Sequence, residues 1–251
     1  MEDPASEGRP DKRHDHGLQL LLLRGLEEGS LIAQARRRRP TPVTYLFFLV
    51  NVLVFLVNAL AGGRLLMAGA KINSMILQNG QYYRLFTPMF LHAGFLHLAV
   101  NSFSLYNVGP AVEAYFGHKR TASIYIIAGI AGNLASFLLS PQSRAVGASG
   151  AIFGLVGALG VFFGRHQDIL DTKGPLNSVL QCAAINLAFG LIPGSRIDQW
   201  GHIGGALGGA LVAYLIGPRL EQRRAPARLG GYMYYIDRPL IPIFGNEKER
   251  G

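Results

Sequence analysis

Ser149 and three histidines of this sequence lie in long stretches that carry no Asp, Glu, Lys or Arg. Ser149 stands between glycines in "GASGAIFG", and His202 opens the glycine-rich stretch "GHIGGALGG". His97 and Asn101 stand four residues apart in "HLAVN", which places both on one face of a helix, and His92 precedes them. An ionisable group in an apolar stretch is unfavourable unless it has a task, so these positions predict a functional site.

The residue types favour nucleophilic attack on a carbonyl. A serine hydroxyl becomes a nucleophile when a neighbouring base takes its proton, so we predict Ser149 as nucleophile and His202 as base. The oxyanion that forms would need donors aimed at it, and His97, Asn101 and the backbone N–H of Ser149 are the candidates. No carboxylate lies within the stretch that holds His202. The nearest, Asp198, is expected in a loop, so the pattern predicts a dyad rather than a triad.

An aromatic residue, Phe153, follows Ser149 by four positions. Phe153 lies one helical turn after Ser149, and its ring is expected to stack on the imidazole of His202. The glycines near each of these residues fall at helical spacings that let two helices approach closely. They are Gly150, Gly154 and Gly157 in one stretch, and Gly201, Gly205 and Gly209 in the other.

The elements that must position these residues are membrane-spanning helices. The chain is 49% hydrophobic and only 16% charged, against about 25% charged in an ordinary soluble domain. Six runs of 20 residues or more lack Asp, Glu, Lys and Arg, and a helix of about 20 residues crosses the hydrocarbon core of a bilayer. The sequence therefore predicts an all-α, integral multi-pass membrane protein with six transmembrane helices. The runs are 40–63, 85–112, 121–143, 145–164, 174–195 and 199–218.

Basic residues orient this bundle. The net charge of +9 is concentrated before the first run, after the second, between the fourth and fifth, and after the last. With six spans all four places fall on one side, as the positive-inside rule predicts for the cytoplasmic or stromal face, so both termini are expected there. This uneven placement also argues against a nucleic-acid partner. Helices four and six then run inward from the opposite face, and Ser149 and His202, near their starts, reach the same depth in the outer half.

The flanking segments have simpler interpretations. Residues 1–39 are predicted to be a polar, basic N-terminal tail, 40–218 the membrane domain, and 219–251 a basic, extramembranous and irregular C-terminal tail. The segment 62–88 is expected to lie in the headgroup region, with Arg64, Lys71 and Arg84 on the outer face.

His14 and His16 fit a solvated tail, and Cys182 has no cysteine partner, so the sequence predicts no metal, disulfide or cofactor. Asn51, Asn58, Asn133, Ser136 and Asn186 are expected to hydrogen-bond neighbouring helices.

Four motifs in this order resemble the rhomboid family of intramembrane serine proteases. They are "YR" at 83–84, "HAGFLHLAVN" at 92–101, "GASGAIFG" at 147–154 and "GHIGGALGG" at 201–209, within a resemblance that covers 42–217. It implies a six-helix rhomboid bundle with Ser149 as nucleophile, His202 as base, and His97 and Asn101 lining the oxyanion site. Tyr83 stands where the family often has tryptophan, and Phe153 where it often has tyrosine.

The resemblance also implies partners. The substrates would be single-span membrane proteins, cut within or beside their transmembrane helix in the lipid bilayer, without a cofactor. The tail "DRPLIPI" is similar to plastid members, which favours a chloroplast membrane; the oligomeric state stays open. Two alternatives remain at this point. One is a non-proteolytic rhomboid-like protein that binds membrane clients, and the other is a small transporter or channel, in which intramembrane histidines would line a pathway.

Overall fold

A computed structural model of the chain describes residues 40–168, 181, 183–184, 197–224 and 233–243. Most of the predicted fifth span, with Cys182 and Asn186, and the N-terminal tail, with His14 and His16, lie outside the described residues. The helices are α1 Pro42–Leu60, α2 Arg64–Gly69, α3 Asn73–Asn79, α4 Phe95–Phe116, α5 His118–Leu139, α6 Ser149–Arg165 and α7 Gln199–Ile216. Two 3₁₀ turns, Tyr82–Leu85 and Thr87–Phe90, precede α4, and strands β1 Leu220–Arg224 and β2 Met233–Asp237 follow α7.

The described architecture is mostly helical, as predicted. The five long helices α1, α4, α5, α6 and α7 contain 19, 22, 22, 17 and 18 residues. Within the described ranges, α1 and α5 are the helices that are both long and apolar enough to cross a membrane, and α6 is a shorter apolar helix. The count of six spans remains a prediction.

Small residues let α5, α6 and α7 pack backbone against backbone. A β-carbon at Gly205 would overlap the carbonyl oxygen of Gly150, and one at Gly209 would overlap the carbonyl oxygen of Gly154. In a bilayer, where apolar surface is already in an apolar solvent, close packing of this kind replaces the hydrophobic effect as the force between helices. The predicted role of the two glycine series in packing is confirmed.

Two glycines of α6 provide a matched test of this packing. A β-carbon at Gly157 would overlap the carbonyl oxygen of Ala206 in α7, whereas Gly160, one turn later, has nothing within 4 Å of that position. Gly157→Ala should therefore lower the free energy of unfolding by about 1–3 kcal/mol, because α6 and α7 must separate. Gly160→Ala should leave it unchanged or raise it by up to about 1 kcal/mol. Thermal midpoints in detergent measure both, and equal losses would contradict the packing.

The segment between α1 and α4 differs from the expected headgroup loop. It contains α2, α3 and the 3₁₀ turns, and two of its three basic residues are buried rather than exposed: Lys71 is 0% and Arg84 5% exposed. The Arg84 guanidinium donates to the carbonyl oxygens of Ala70 (2.7 Å) and Met67 (3.2 Å). Backbone carbonyls without a helical partner, as at helix ends, attract buried cations, and this explains the difference from the prediction.

At the opposite end of the bundle, a buried carboxylate in α4 caps the start of α1. Glu113 accepts hydrogen bonds from the Val43 N–H (2.9 Å), the Thr44 N–H (2.8 Å) and the Thr44 hydroxyl (2.7 Å), and lies 2.6 Å from His118 Nδ1. These contacts satisfy N–H groups that the first turn of a helix leaves free. Glu113 falls one residue beyond the second uncharged run, and the run does not predict that this carboxylate caps α1.

The segment after α7 is ordered, and the prediction of an irregular tail is wrong. Strand β1 pairs antiparallel with β2, with Leu220 opposite Asp237. The Asp237 carboxylate lies 2.5 Å from the Arg120 guanidinium at the start of α5 and accepts a hydrogen bond from the Arg219 N–H (3.0 Å). The physical reason is this long-range ion pair, which folds the segment back onto the helical bundle.

A histidine that follows α6 makes this docking sensitive to pH. His166 Nδ1–H donates to the Phe162 carbonyl (2.7 Å), which leaves Nε2 to accept the Leu220 N–H (3.0 Å). Burial lowers the pKa of His166 below its ordinary 6.5; the Phe162 hydrogen bond and Asp237 oppose this, and Arg165 adds to it. The docked state therefore requires the neutral ring.

Docking should be fully stable above about pH 6.5 and should weaken as the pH falls below it, because the undocked ring then binds a proton more readily. We expect the hydrogen-exchange protection factor of the Leu220 amide to fall between about pH 7 and pH 5, while that of Val212 inside α7 stays constant. His166→Phe should abolish this pH dependence. A Leu220 protection factor that does not change with pH would contradict the mechanism.

Candidate active site

The two residues predicted to act together lie at the first turns of adjacent helices. Ser149 is the first residue of α6, and His202 lies in the first turn of α7, 7% exposed. His202 Nε2 is 2.9 Å from Ser149 Oγ, although the residues are 53 positions apart in the chain. The close backbone approach of α6 and α7 at their glycines allows this contact. A neutral ring with its proton on Nδ1 presents Nε2 to the hydroxyl, the arrangement needed to accept its proton.

Packing rather than a carboxylate orients the imidazole. The ring of Phe153 stacks on it, with the centroids 4.4 Å apart and an interplanar angle of 18°, as predicted. His202 Nδ1 is buried and has no hydrogen-bond partner among the described residues. The arrangement of these residues is therefore that of a serine and a histidine without a third hydrogen-bonded acid.

Asp198 lies closer to the site than predicted. It is the last residue of the connection before α7 and caps that helix: Oδ1 accepts the Gly201 N–H (3.1 Å), and Oδ2 accepts the Ser136 hydroxyl. An aspartate four residues before His202 is a recognisable helix-start signal, and it predicts this cap, whereas hydropathy alone does not. Its side chain contacts neighbouring elements and does not hydrogen-bond the imidazole.

A small cavity of about 30 Å³ adjoins the serine and the histidine. Its size and polar lining suit about one water molecule. A hydrolytic reaction needs water at this place, and the cavity offers room for it next to Ser149. The residues that line it are Met89, Gly129, Gly132, Asn133, Ala145, Val146, Gly147, Ser149, Gly150, Ala151, Asp198, Gly201 and His202.

Gly147 separates the serine from His97. Its φ of +123° is one that L side chains rarely adopt, and a β-carbon here would lie 2.7 Å from His97 Nε2 and 3.8 Å from Ser149 Oγ. The edge of the His97 ring and the Ser149 hydroxyl therefore both lie beside Gly147. The N–H groups in the first turn of α6 add donors there, because a helix leaves them without partners of its own.

Asn101 is buried one turn beyond His97. Its amide nitrogen donates to the His97 carbonyl (2.9 Å), and Oδ1 has no hydrogen-bond partner in the part of the chain that is described. A primary amide has two N–H donors, so one remains for another acceptor. His97 lies beside Gly147, and neither His97 nor Asn101 is among the residues that line the 30 Å³ cavity.

His92, which the sequence singled out without a role, supports His97. It is 2% exposed, and its ring lies edge-on to the His97 ring at 5.3 Å and 64°. Neither ring nitrogen has a hydrogen-bond partner among the described residues. No group of three or more His, Cys, Asp or Glu side chains arranged to hold a metal ion is found in the described ranges.

Comparison with known proteins identifies the family of the chain. A family model for the rhomboid domain matches residues 79–219. The chain is 40% identical over 222 residues to rhomboid protease GluP of Bacillus subtilis (strain 168), an overlap of 86% of this chain and 43% of that protein. It is 39% identical over 142 residues to RHOMBOID-like protein 6, mitochondrial, of Arabidopsis thaliana, covering 56% of this chain and 46% of that protein.

A shorter relative is covered more completely. Putative rhomboid protease YdcA of Bacillus subtilis (strain 168) is 37% identical over 147 residues, which are 58% of this chain and 72% of that protein. The chain spans a little under half the length of GluP and RHOMBOID-like protein 6. The family model covers more than half of the chain, and its matched range contains Ser149, His202, His97 and Asn101. The chain therefore belongs to the rhomboid family and is an integral membrane protein.

Proposed function

We propose that this protein is an intramembrane serine endopeptidase that cuts transmembrane segments of other membrane proteins with a dyad of Ser149 and His202. The observation that carries the proposal is the 2.9 Å contact between His202 Nε2 and Ser149 Oγ at the start of two closely packed helices. The names of two relatives, rhomboid protease GluP and putative rhomboid protease YdcA, support the same activity.

The reaction would proceed by acyl transfer. His202 takes the proton of the Ser149 hydroxyl as Oγ attacks the amide carbonyl, and the imidazolium then gives that proton to the leaving amine. The oxyanion forms in the space beside Gly147, where His97, the second N–H of Asn101 and the backbone N–H of Ser149 donate to it. Water from the 30 Å³ cavity then hydrolyses the acyl-enzyme, with His202 again acting as base.

The membrane arrangement follows from the charges. We assign residues 40–218 to a bundle of six transmembrane helices, and 1–39 and 219–251 to segments outside the bilayer on the cytoplasmic or stromal side. The basic residues that adjoin these segments support this orientation. The site then lies in the outer half of the bilayer. The plastid-like tail motif favours a chloroplast membrane, and one plant relative is named chloroplastic.

The substrate class follows from the state of a peptide bond in a membrane. Each carbonyl inside a transmembrane helix is hydrogen-bonded and shielded, so a substrate must leave the helical form before Ser149 can reach it. Single-span proteins whose helix is interrupted by glycine or proline near its outer end should therefore be favoured.

The direct test uses purified protein in detergent and a single-span substrate with a glycine–proline interruption near its outer end. The parent chain should cleave it, and Ser149→Ala should not. A matched substrate with an uninterrupted leucine helix should be cleaved far more slowly. Cleavage of the first substrate by Ser149→Ala at the parent rate would overturn the protease assignment.

A further inference from the structure

A chain of hydrogen-bonded polar groups runs from the segment before α3 to the start of α7. It consists of Lys71, Ser143, Ser136 and Asp198, and we refer to it as the Lys71–Asp198 chain. The dyad mechanism uses none of these groups. Lys71 and Ser136 are fully buried, whereas Ser143 and Asp198 are partly buried, so the middle of the chain lies in the interior. Buried polar groups that are fully hydrogen-bonded make a packing arrangement specific.

The lysine end is tied to the segment that carries the serine. Lys71 Nζ donates to the Ser136 carbonyl (3.3 Å), the Ser140 carbonyl (3.2 Å) and the Ser143 hydroxyl (2.9 Å), three acceptors for the three N–H groups of an ammonium. Its backbone pairs with Ala145, four residues before Ser149, through N···O contacts of 3.0 and 3.3 Å. Lys71 therefore fixes the approach to Ser149 relative to the end of α5.

The aspartate end is tied to the helix that carries the histidine. The Asp198 carboxylate accepts the Gly201 N–H (3.1 Å), and the backbone carbonyl of Asp198 accepts the His202 N–H (3.2 Å). The second carboxylate oxygen accepts the Ser136 hydroxyl from α5. These contacts fix both the direction of the first turn of α7 and its place against α5.

Ser136 joins the two ends, since its carbonyl oxygen accepts from Lys71 and its hydroxyl donates to Asp198. The charges also balance: burial lowers the pKa of Lys71, and the negative charge of Asp198 opposes that shift. Ser149 and His202 stand on different helices, and no short stretch of backbone connects them. The Lys71–Asp198 chain is thus a cross-link that sets their separation.

We propose that Asp198 is a positioning residue for the dyad, holding the first turn of α7 so that His202 Nε2 stays within hydrogen-bond distance of Ser149 Oγ. This inference rests on the proposed protease function. A displacement of about 1 Å at a reacting group can lower a rate by about 10²-fold, so loss of this anchor should be visible in kcat. KM should change little, because Asp198 hydrogen-bonds groups of α5 and of the α7 backbone rather than the Ser149 hydroxyl or the His202 ring.

The test compares Asp198→Ala with Asp198→Asn. Asparagine caps a helix as well as aspartate does, and the Ser136 hydroxyl can rotate to accept from its amide. We expect Asp198→Ala to lower kcat by about 10-fold to 100-fold with KM within about twofold, and Asp198→Asn to keep kcat within about threefold of the parent. If Asp198→Ala does not fold, Ser136→Ala, which removes only the hydroxyl that anchors Asp198, takes its place.

Glu113→Ala supplies the matched control, because Glu113 is another capping carboxylate but lies at the opposite end of the bundle. It should lower the thermal midpoint by a similar amount and leave kcat near that of the parent. If Asp198→Ala and Glu113→Ala lower kcat equally, Asp198 serves stability alone and the proposal is overturned. Asp198→Asn as inactive as Asp198→Ala would overturn positioning as well.

A spectroscopic readout separates this inference from the protease assignment. The ¹⁵N resonance of His202 Nε2 reports its hydrogen bond to Ser149 Oγ whether or not any substrate is cleaved. In the folded protein, Asp198→Ala should move this resonance toward that of a ring without the bond, and Asp198→Asn should not. A resonance unchanged by Asp198→Ala would overturn the proposal even if the parent proves to be an active protease.

Discussion

His202→Ala should lower the rate of substrate cleavage by about 10⁴-fold or more while the protein stays folded. The ring supplies the only base within hydrogen-bond distance of Ser149 Oγ among the described residues, at 2.9 Å. Without it the hydroxyl keeps its proton at the moment of attack, and the leaving amine receives none. Ser149→Ala should have an effect of the same size, because it removes the nucleophile itself.

The double variant tests whether the two residues act as a unit. If they do, Ser149→Ala combined with His202→Ala should be no slower than either single variant. Ser123→Ala is a suitable control, because that serine hydroxyl bonds a carbonyl of its own helix, that of Lys119. Initial rates with a single-span substrate measure all four variants. Substantial activity in His202→Ala, or a further large loss in the double variant, would contradict a dyad.

Gly147→Ala should lower cleavage by about 10²-fold or more. The added methyl group would lie 2.7 Å from His97 Nε2 and 3.8 Å from Ser149 Oγ, and therefore inside the space assigned to the oxyanion. The φ of +123° also strains any residue with a β-carbon. The methyl group would displace either the substrate carbonyl or the His97 ring, so kcat should fall by more than the loss of stability explains.

Gly94→Ala is the matched control for this change. Gly94 directly precedes α4, only three residues before His97, and has nothing within 4 Å of its β-carbon position and an extended φ of −176°. The same substitution there should leave kcat within about twofold of the parent, because the added methyl group contacts no other residue. Cleavage by Gly147→Ala at the parent rate would show that the oxyanion does not form beside Gly147.

The positions of Ser149 and His202 could be predicted because local features set them. Each follows a charged residue by four or five positions, and glycines at helical spacing then bring α6 and α7 together. One helical turn separates Phe153 from Ser149, which was enough to predict its stacking on His202. Helix periodicity and small residues are therefore sufficient to predict that the two reacting groups lie close together.

The sequence did not reveal the contacts that join distant parts of the chain. Lys71 and Ser143 are 72 positions apart, and Arg120 and Asp237 are 117 apart. Lys71 was expected at the membrane surface because charge is usually solvated, but three acceptors near the end of α5 make its burial favourable. In the same way, the ion pair between Arg120 and Asp237 holds the two-stranded sheet after α7 against the bundle. Neither hydropathy nor helical spacing carries information about which distant charge finds which partner.

The central claim is that His202 activates the Ser149 hydroxyl, and reaction with a fluorophosphonate tests it most directly because no substrate is needed. The folded parent should form a covalent adduct that mass spectrometry of its peptides places on Ser149, and His202→Ala should form it far more slowly. Labelling of Ser149 at the same rate in His202→Ala, or no labelling of Ser149 in the parent, would contradict the account.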